Sequence, residues 1–276
     1  MAFGTVLITG ASSGIGEATA HHLKGRGFDV VGAVRKDEDA ARLRSEGLRA
    51  VKLDVTDPDS VAAARSELGD VALAGLVNNA GIAVAAPIEF IPLEQLRRQL
   101  EINLVGQVAV IQSFLPALRA GRGRIVNVSS IGGRVALPLV GAYNMSKFAL
   151  EAMSDSLRRE VRAQSVDVIV IEPGGVKTPI WRKGNEHAEQ LQAGMPPEAD
   201  RLYGPLVRAL RAQTVKIATE RGIEPSEVAE AIGTALTAKR PRARYLVGRD
   251  AKLRAATAAV LPDRVMDRLI GWAIRP

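Results

Sequence analysis

The chain contains no cysteine. That excludes disulfides, thiol catalysis and cysteine-ligated metals, and it fits a protein of the reducing cytoplasm. Histidine is nearly as scarce: His21, His22 and His187 are the three. They lack ligand spacing with one another or with acidic clusters, so we place them on the surface and expect no metal. Aromatic residues make up 4% of the chain. The densest positive run, Lys239-Arg240-Pro241-Arg242-Ala243-Arg244, therefore has few rings beside it and reads as solvated surface, not a nucleic-acid or anionic-lipid site. There is no Gly-x-Ser-x-Gly elbow, and Ser129-Ser130 has no obvious histidine partner, which argues against a serine hydrolase. No apolar run approaches the length of a membrane span, and no basic leader precedes Phe3, so we expect neither a spanning helix nor a signal peptide.

What is present is an alternation of strand and helix. With 276 residues the chain can bury a substantial core. Phe3 to Thr9 is short, apolar and β-branched, the pattern of a buried strand. It runs into Gly10-Ala11-Ser12-Ser13-Gly14-Ile15-Gly16, after which Glu17 to Leu23 follow a helical pattern. A strand, a glycine turn and a helix N-terminus together form a phosphate cradle, because backbone N–H groups and the helix dipole point at the anion. A second strand, Asp29 to Val34, leads to Arg35 and Lys36 where an acid that binds a ribose hydroxyl would stand. A guanidinium there favours a 2′-phosphate and hence NADP(H), while Asp37 and Glu38 follow closely enough to leave NAD open. Ala50 to Leu53 is a third strand, ending in Asp54-Val55, whose carboxylate is within reach of an adenine amino group. Leu73 to Val77 leads into Asn78-Asn79-Ala80-Gly81, a tight turn fit to lie against a sugar or ring. These repeats predict a Rossmann-type α/β fold, a doubly wound parallel sheet with helices on both faces and ligands at the strands' carboxyl ends.

The chemistry centres on Ala142-Tyr143-Asn144-Met145-Ser146-Lys147, with Ser130 standing 13 positions before the tyrosine. On a helix, a spacing of four puts Tyr143 and Lys147 on one face. A free phenol ionises near pH ~10. An ammonium about 4 Å away at an effective dielectric of about 20 favours the phenolate by roughly 4 kcal/mol, or about three pKa units. That would bring the phenol near working pH, where a general acid/base is most effective.

The strings TGASSGIG, LDV, NNAG, EINLVG, NVSSIGG, YNMSK and PGGVKT, in this order and spacing over residues 3 to about 180, resemble the short-chain dehydrogenase/reductase family. SDSLRREV after the catalytic helix and RPRARYLVGRDAKL further on are similar to its hydroxysteroid and retinol branch. The resemblance implies that Tyr143 carries a proton to or from the substrate oxygen while hydride moves to or from the nicotinamide. It implies that Lys147 stabilises the phenolate and holds the nicotinamide ribose, and that Asn103 holds a water extending the proton path; the plainer role for Asn103 is a helix-bending polar group. Ser130 would donate a hydrogen bond to the developing alkoxide. Ser129 competes for that role, but the spacing to Tyr143 and the following Ile131-Gly132-Gly133 favour Ser130. After the strand Val166 to Ile171, the turn Glu172-Pro173-Gly174-Gly175-Val176-Lys177-Thr178 would meet the carboxamide through the Val176 backbone and the Thr178 hydroxyl, with Pro173 and Gly174 also counted among the cofactor-binding residues.

From Ile180 to Gly222 apolar residues such as Trp181, Met195, Tyr203, Val207 and Leu210 stand among charges, prolines and glycines. This stretch reads as a helical hairpin, a substrate lid, or both. With Leu137 and Val140 near Tyr143 the pocket is expected to be apolar. Glu224-Pro225-Ser226-Glu227 starts a helix, Arg244 to Val247 forms a last strand, and 250–276 is a helical tail. Its apolar faces close the subunit or meet another copy, as a homodimer or homotetramer, in preference to a membrane surface. The reading is a single catalytic domain, 1–276, with the lid at 180–222, an oxidoreductase acting on a hydrophobic alcohol or ketone with NADP(H). Its rivals are a 3-oxoacyl thioester reductase and, in another class, an NADP-sensing binding protein.

Overall fold

Seven short aliphatic and β-branched runs build one parallel sheet in a computed structural model that describes residues 3–274. The strands are β1 (Thr5–Thr9), β2 (Asp29–Val34), β3 (Arg49–Lys52), β4 (Leu73–Asn78), β5 (Arg124–Val128), β6 (Asp167–Pro173) and β7 (Arg244–Val247). Their order is β3-β2-β1-β4-β5-β6-β7. The connection changes direction between β1 and β4, which opens a crevice beyond their carboxyl ends. Because side chains alternate along a strand, Val6 and Ile8 of β1 enter one core while Leu7 enters the other. The first core takes Leu23 from α1 (Gly14–Gly25), Leu43 from α2 (Asp37–Ser45) and Ile232 from α9 (Pro225–Thr237). The opposite core takes Val61 from α3 (Pro58–Leu68) and Phe114 from α5 (Gly106–Gly121). The predicted Rossmann-type, doubly wound sheet is the observed one.

Several expectations change. The strand expected to end at Ile171 continues through Glu172 to Pro173, because β7 pairs alongside it to the end, with Pro173 opposite Val247. The helical stretch Leu93–Gly121, made of α4 (Leu93–Leu100), a π turn (Glu101–Val105) and α5, is long and apolar enough to cross a membrane, with mean hydropathy 1.3. The sequence reading missed it because polar residues interrupt the apolar run. Its apolar side is accounted for by packing: Val110, Ile111, Phe114 and Leu118 are buried in the core beside β4. Among the supposed surface groups, His22 is half-buried with its Nε2 enclosed and unpartnered, and His187 Nε2 lies 3.0 Å from Gln95 Oε1. Arg244, counted with the solvated basic run, is instead half-buried among carboxylates.

Residues 180–222 form no strand; they fold into α7 (Pro179–Ala193), α8 (Pro197–Lys216) and a π turn (Ile217–Arg221). Glu224 and Glu227 close a reciprocal capping box at the start of α9, satisfying N–H groups that the first turn leaves free. The tail forms α10 (Arg249–Val260) and α11 (Asp263–Ala273). Between β5 and β6 lies α6 (Gly141–Glu160), which carries Tyr143 and Lys147.

Candidate active site

A cleft of about 220 Å³ lies over the carboxyl ends of β1, β2, β4, β5 and β6. The turn after β1 explains its shape. Gly10 takes φ +65° and Gly14 φ +60°, a backbone region where a side chain is strained. A Cβ on Gly16 would stand 2.2 Å from the Gly10 carbonyl oxygen. The chain therefore folds back tightly enough to bring the start of α1 over the strand ends. The turn after β4 is stitched to this one: Thr9 Oγ1 accepts from the N–H groups of Asn79 and Ala80 at 3.0 and 3.1 Å. Asn79 Nδ2 donates to the Thr9 and Gly10 carbonyls at 3.0 and 3.1 Å.

The structure brings Gly10, Ser12, Ser13, Gly14, Ile15, Arg35, Asp54, Val55, Asn79, Ala80, Gly81, Pro173, Gly174, Val176 and Thr178 to this one cleft, together with Asn103, Ser130, Tyr143 and Lys147. Gly16 is the exception. It is buried behind the turn, and its lack of a side chain permits the close approach of α1 instead of touching the cleft. At the β2 end, Arg35 is exposed and has no carboxylate within 4.0 Å among the described residues, whereas Asp37 is occupied by Lys52 at 2.8 Å. Burial pulls the Asp54 carboxyl upward, but Thr56 and the Arg35 charge more than offset it and hold Asp54 below the usual range. The backbone N–H and hydroxyl of Thr56 both donate to Asp54 Oδ1, at 3.0 and 2.8 Å.

At the other end, Ser130 is extended and its Oγ accepts from the Gly132 N–H at 3.0 Å. Ser129, the competing serine, is buried with an unpartnered hydroxyl. Lys147, 6% exposed, donates to the Val128 carbonyl at 2.8 Å, and its Nζ lies 5.7 Å from the Tyr143 ring centre. Burial lowers Lys147 to about 8, opposed by the Glu151 charge. Burial also pushes the Tyr143 phenol up, with a Ser130 hydrogen bond drawing it partly back. The phenol is thus shifted upward by loss of water, with Ser130 as the opposing pull, and not downward as the spacing to Lys147 suggested.

Asn103 sits in the π turn and reaches the cleft, but its side chain is tied to Ile82, accepting from the N–H at 2.9 Å and donating to the carbonyl at 3.0 Å. Its Nδ2 also lies 3.2 Å from Ser146 Oγ. Gln99 and Gln107 do similar work on Val84 and Ala80, at 2.7 and 2.5 Å. Sequence reasoning missed both glutamines, whose only signal was a polar residue on an otherwise apolar helix face. It also missed Arg134, Glu151 and Glu172. Glu151 stands four residues past Lys147, a spacing that could have marked it.

A second, apolar cavity of about 70 Å³ adjoins the first, and Ile180 and Trp181 line both. Ala83, Ala86, Leu139, Val140, Met195, Val207 and Leu210 supply its walls. Val140 is where the sequence put it; Leu137 is not, and Leu139, at φ +65°, takes its place. Trp181 is held by a 2.7 Å hydrogen bond from its indole N–H to the Val176 carbonyl.

The sequence pattern described as short chain dehydrogenase matches residues 4–189. Retinol dehydrogenase 5 of Mus musculus is 36% identical over 281 residues, covering 98% of this chain and 88% of the relative. An NADPH-dependent 3-dehydrocapnine reductase of Ornithobacterium rhinotracheale is 35% identical over 275 residues, covering 95% and 94%. A short chain dehydrogenase from Burkholderia cenocepacia J2315, solved in complex with NADP, superposes with TM-score 0.76 at 27% identity over 100% of both chains. The chain belongs to the short-chain dehydrogenase family, and it is an NAD(P)-dependent oxidoreductase. The glycine cradle suits such a cofactor, since side chains at Gly10 or Gly14 would be strained where the pyrophosphate must approach.

Proposed function

We propose that the protein interconverts a hydrophobic secondary alcohol and its ketone, using NADP(H). The observation that carries this reading is the meeting of two cavities at Ile180 and Trp181, one that gathers the glycine turn, Arg35, Asp54, Tyr143 and Lys147 and one that is apolar. A bound nicotinamide supplies or takes up the hydride. Tyr143 moves the proton at the substrate oxygen, and Ser130 donates a hydrogen bond to the same oxygen. Lys147 holds the ribose and, still mostly protonated at neutral pH, steadies negative charge on the phenol. Asn103 fixes the loop through Ile82 that borders the site. The unpaired Arg35 favours the 2′-phosphate. α7 and α8 act as the lid, and the apolar wall excludes water from the reacting carbon. The exposed Leu253, Val260, Val265, Leu269 and Trp272 of the tail support a homodimer or homotetramer. The cysteine-free composition supports the cytoplasm as its compartment.

A panel of lipophilic ketones and alcohols, assayed with each nicotinamide cofactor by absorbance, tests the reading. Turnover should appear with NADPH or NADP⁺, and Tyr143→Phe should lose about 10³-fold in kcat with cofactor affinity nearly intact. Substantial turnover in Tyr143→Phe, or activity confined to sugars and phosphorylated metabolites, would overturn it.

A further inference from the structure

Beneath the catalytic residues lies a cluster of charge that the reaction as described does not use. Glu172, on β6 just before the Pro173-Gly174 turn, is 0% exposed, and Glu151, on α6 one turn past Lys147, is 7% exposed. Each is gripped by arginine. Arg134 Nε donates to Glu172 Oε1 at 2.6 Å. Arg244 of β7 donates from Nε to Glu151 Oε2 at 3.0 Å and lies 3.5 Å from Glu172 Oε1, while its Nη2 reaches Asp155 at 2.8 Å. One guanidinium nitrogen thus stands between the two carboxyl groups. The remaining oxygens, Glu151 Oε1 and Glu172 Oε2, are both buried and neither has a donor among the described residues.

Both carboxyls therefore lie within 3.5 Å of that one nitrogen in a buried site, and each keeps an oxygen that nothing donates to among the described residues. Two carboxylates so placed repel each other, and as acceptors only they cannot pair unless a proton sits between them. We propose that Glu151 and Glu172 share one proton, held on Glu172 and donated to Glu151, and that the ionised Glu151 is a positioning residue that keeps Lys147 charged beside Tyr143. The inference rests on the reading of Tyr143 and Lys147 as proton carrier and partner.

The surrounding charges fit this division. On α6 the pair faces Lys147, Asp155 and Arg158, the last paired with Asp155; Arg159 lies 3.9 Å from the same Asp155. From the turn after Ser130 comes Arg134, and from β7 comes Arg244. α10, packed against that turn, sets Ala251 and Ala255 on Ile131 and Val135, and its Asp250 accepts from the Gly175 N–H at 2.9 Å, three residues past Glu172. Burial pushes Glu172 up, and the Glu151 charge adds to it against the pull of Arg134. The same Glu151 charge opposes the loss that burial imposes on Lys147. The network also ties together the segments that must hold register for catalysis. Arg134 belongs to the Ser130 turn, Glu151 to the tyrosine helix and Glu172 to the strand feeding the nicotinamide turn.

The pH profile tests the pair. With Lys147 near 8, the rate should fall on an alkaline limb as that ammonium is lost. Glu151→Gln keeps an acceptor for Arg244 but removes the charge, so the limb should move about one pH unit toward acid. Glu172→Gln puts a neutral donor where the protonated carboxyl stands and should leave the limb at its wild-type position. A uniform loss of rate in Glu151→Gln with the limb unmoved, or an equal displacement in both variants, would overturn the proposal. The affinity for NADPH as a function of pH, read by nicotinamide fluorescence, should show the same displacement. It needs no turnover, so failure to find a substrate stays distinct from failure of the pair. Infrared spectra supply a measurement that does not depend on the Glu151→Gln variant folding. Wild type at neutral pH should show a protonated-carboxyl band that Glu172→Gln lacks, and absence of that band from wild type would overturn the shared proton.

Discussion

Replacing Lys147 by methionine should abolish turnover and, at neutral pH, stabilise the fold. The side chain is 6% exposed, and burial holds it at about 8 against an ordinary 10.5. Keeping that cation inside the folded protein near pH 7 therefore costs about 3 kcal/mol relative to the unfolded chain. Methionine fills similar volume without charge, but it leaves the Val128 carbonyl without its donor, which costs roughly 1–2 kcal/mol. The net gain is about 1–2 kcal/mol. Its pH dependence is the sharper test. The cost is complete below the folded value, and it fades between about 8 and 10.5 because there the folded wild type releases a proton that the unfolded chain keeps. The stability difference between Lys147→Met and wild type, from urea unfolding of the cofactor-free proteins, should shrink by about 2 kcal/mol between roughly pH 7 and pH 10. Titrating groups remote from Lys147 cancel in the comparison. A difference that stays flat over that range would refute the view of Lys147 as a buried, strained cation.

Arg35→Glu should weaken NADPH relative to NADH by about 10- to 100-fold, since it removes a charge-assisted contact and sets a carboxylate against a phosphate; equal affinities in kinetic or binding assays would show that the 2′-phosphate is read elsewhere. Val207→Asp puts an ionised group in the apolar wall, so kcat/KM for a lipophilic ketone should fall at least about tenfold with NADPH affinity unchanged. An unaltered kcat/KM would place the substrate outside the cavity under α7 and α8.

Much of this fold is legible because its strands are buried on both faces. Runs such as Val6-Leu7-Ile8 and Ile169-Val170-Ile171 need only be apolar and short, and the glycines that permit φ +65° and +60° announce the turn between β1 and α1. The candidate site residues could be named for a related reason: Tyr143, Lys147 and Ser130 have fixed spacing within local elements, and the fold brings them to one cleft. What escaped depends on partners far apart in the chain. Arg244 looks like one of a basic run, and only the fold brings it to Glu151, 93 positions earlier. Gly16 looks like another cradle glycine, yet its role is the distance between helix and turn. The direction in which Tyr143 shifts follows from how much water is lost, and a spacing of four says nothing about that.

The tyrosine helix shows why periodicity fails at the one element that matters most. An amphipathic helix ordinarily turns its apolar stripe inward. α6 instead buries Asn144, Ser146, Lys147, Glu151 and Ser154 beside Ala142 and Leu150. Each buried polar group meets a partner whose position is set by another element. Asn144 donates to the Leu137 carbonyl at 3.0 Å and Lys147 to Val128 at 2.8 Å. Ser154 accepts from Asn127 at 2.8 Å, which in turn accepts from Asn78 of β4 at 3.0 Å. An apolar face could slide or rotate by a fraction of a turn and lose little, because contact among aliphatic groups has no direction. Here the same rotation would strand several buried donors and acceptors at once, at about 1–3 kcal/mol each. The polar face therefore fixes the rotation of α6 about its own axis, and with it the direction in which the Tyr143 hydroxyl meets the cleft. Burying so many polar groups is a poor way to stabilise a helix. It is a good way to hold the proposed proton carrier, Tyr143, in register with the glycine cradle that shares its cleft.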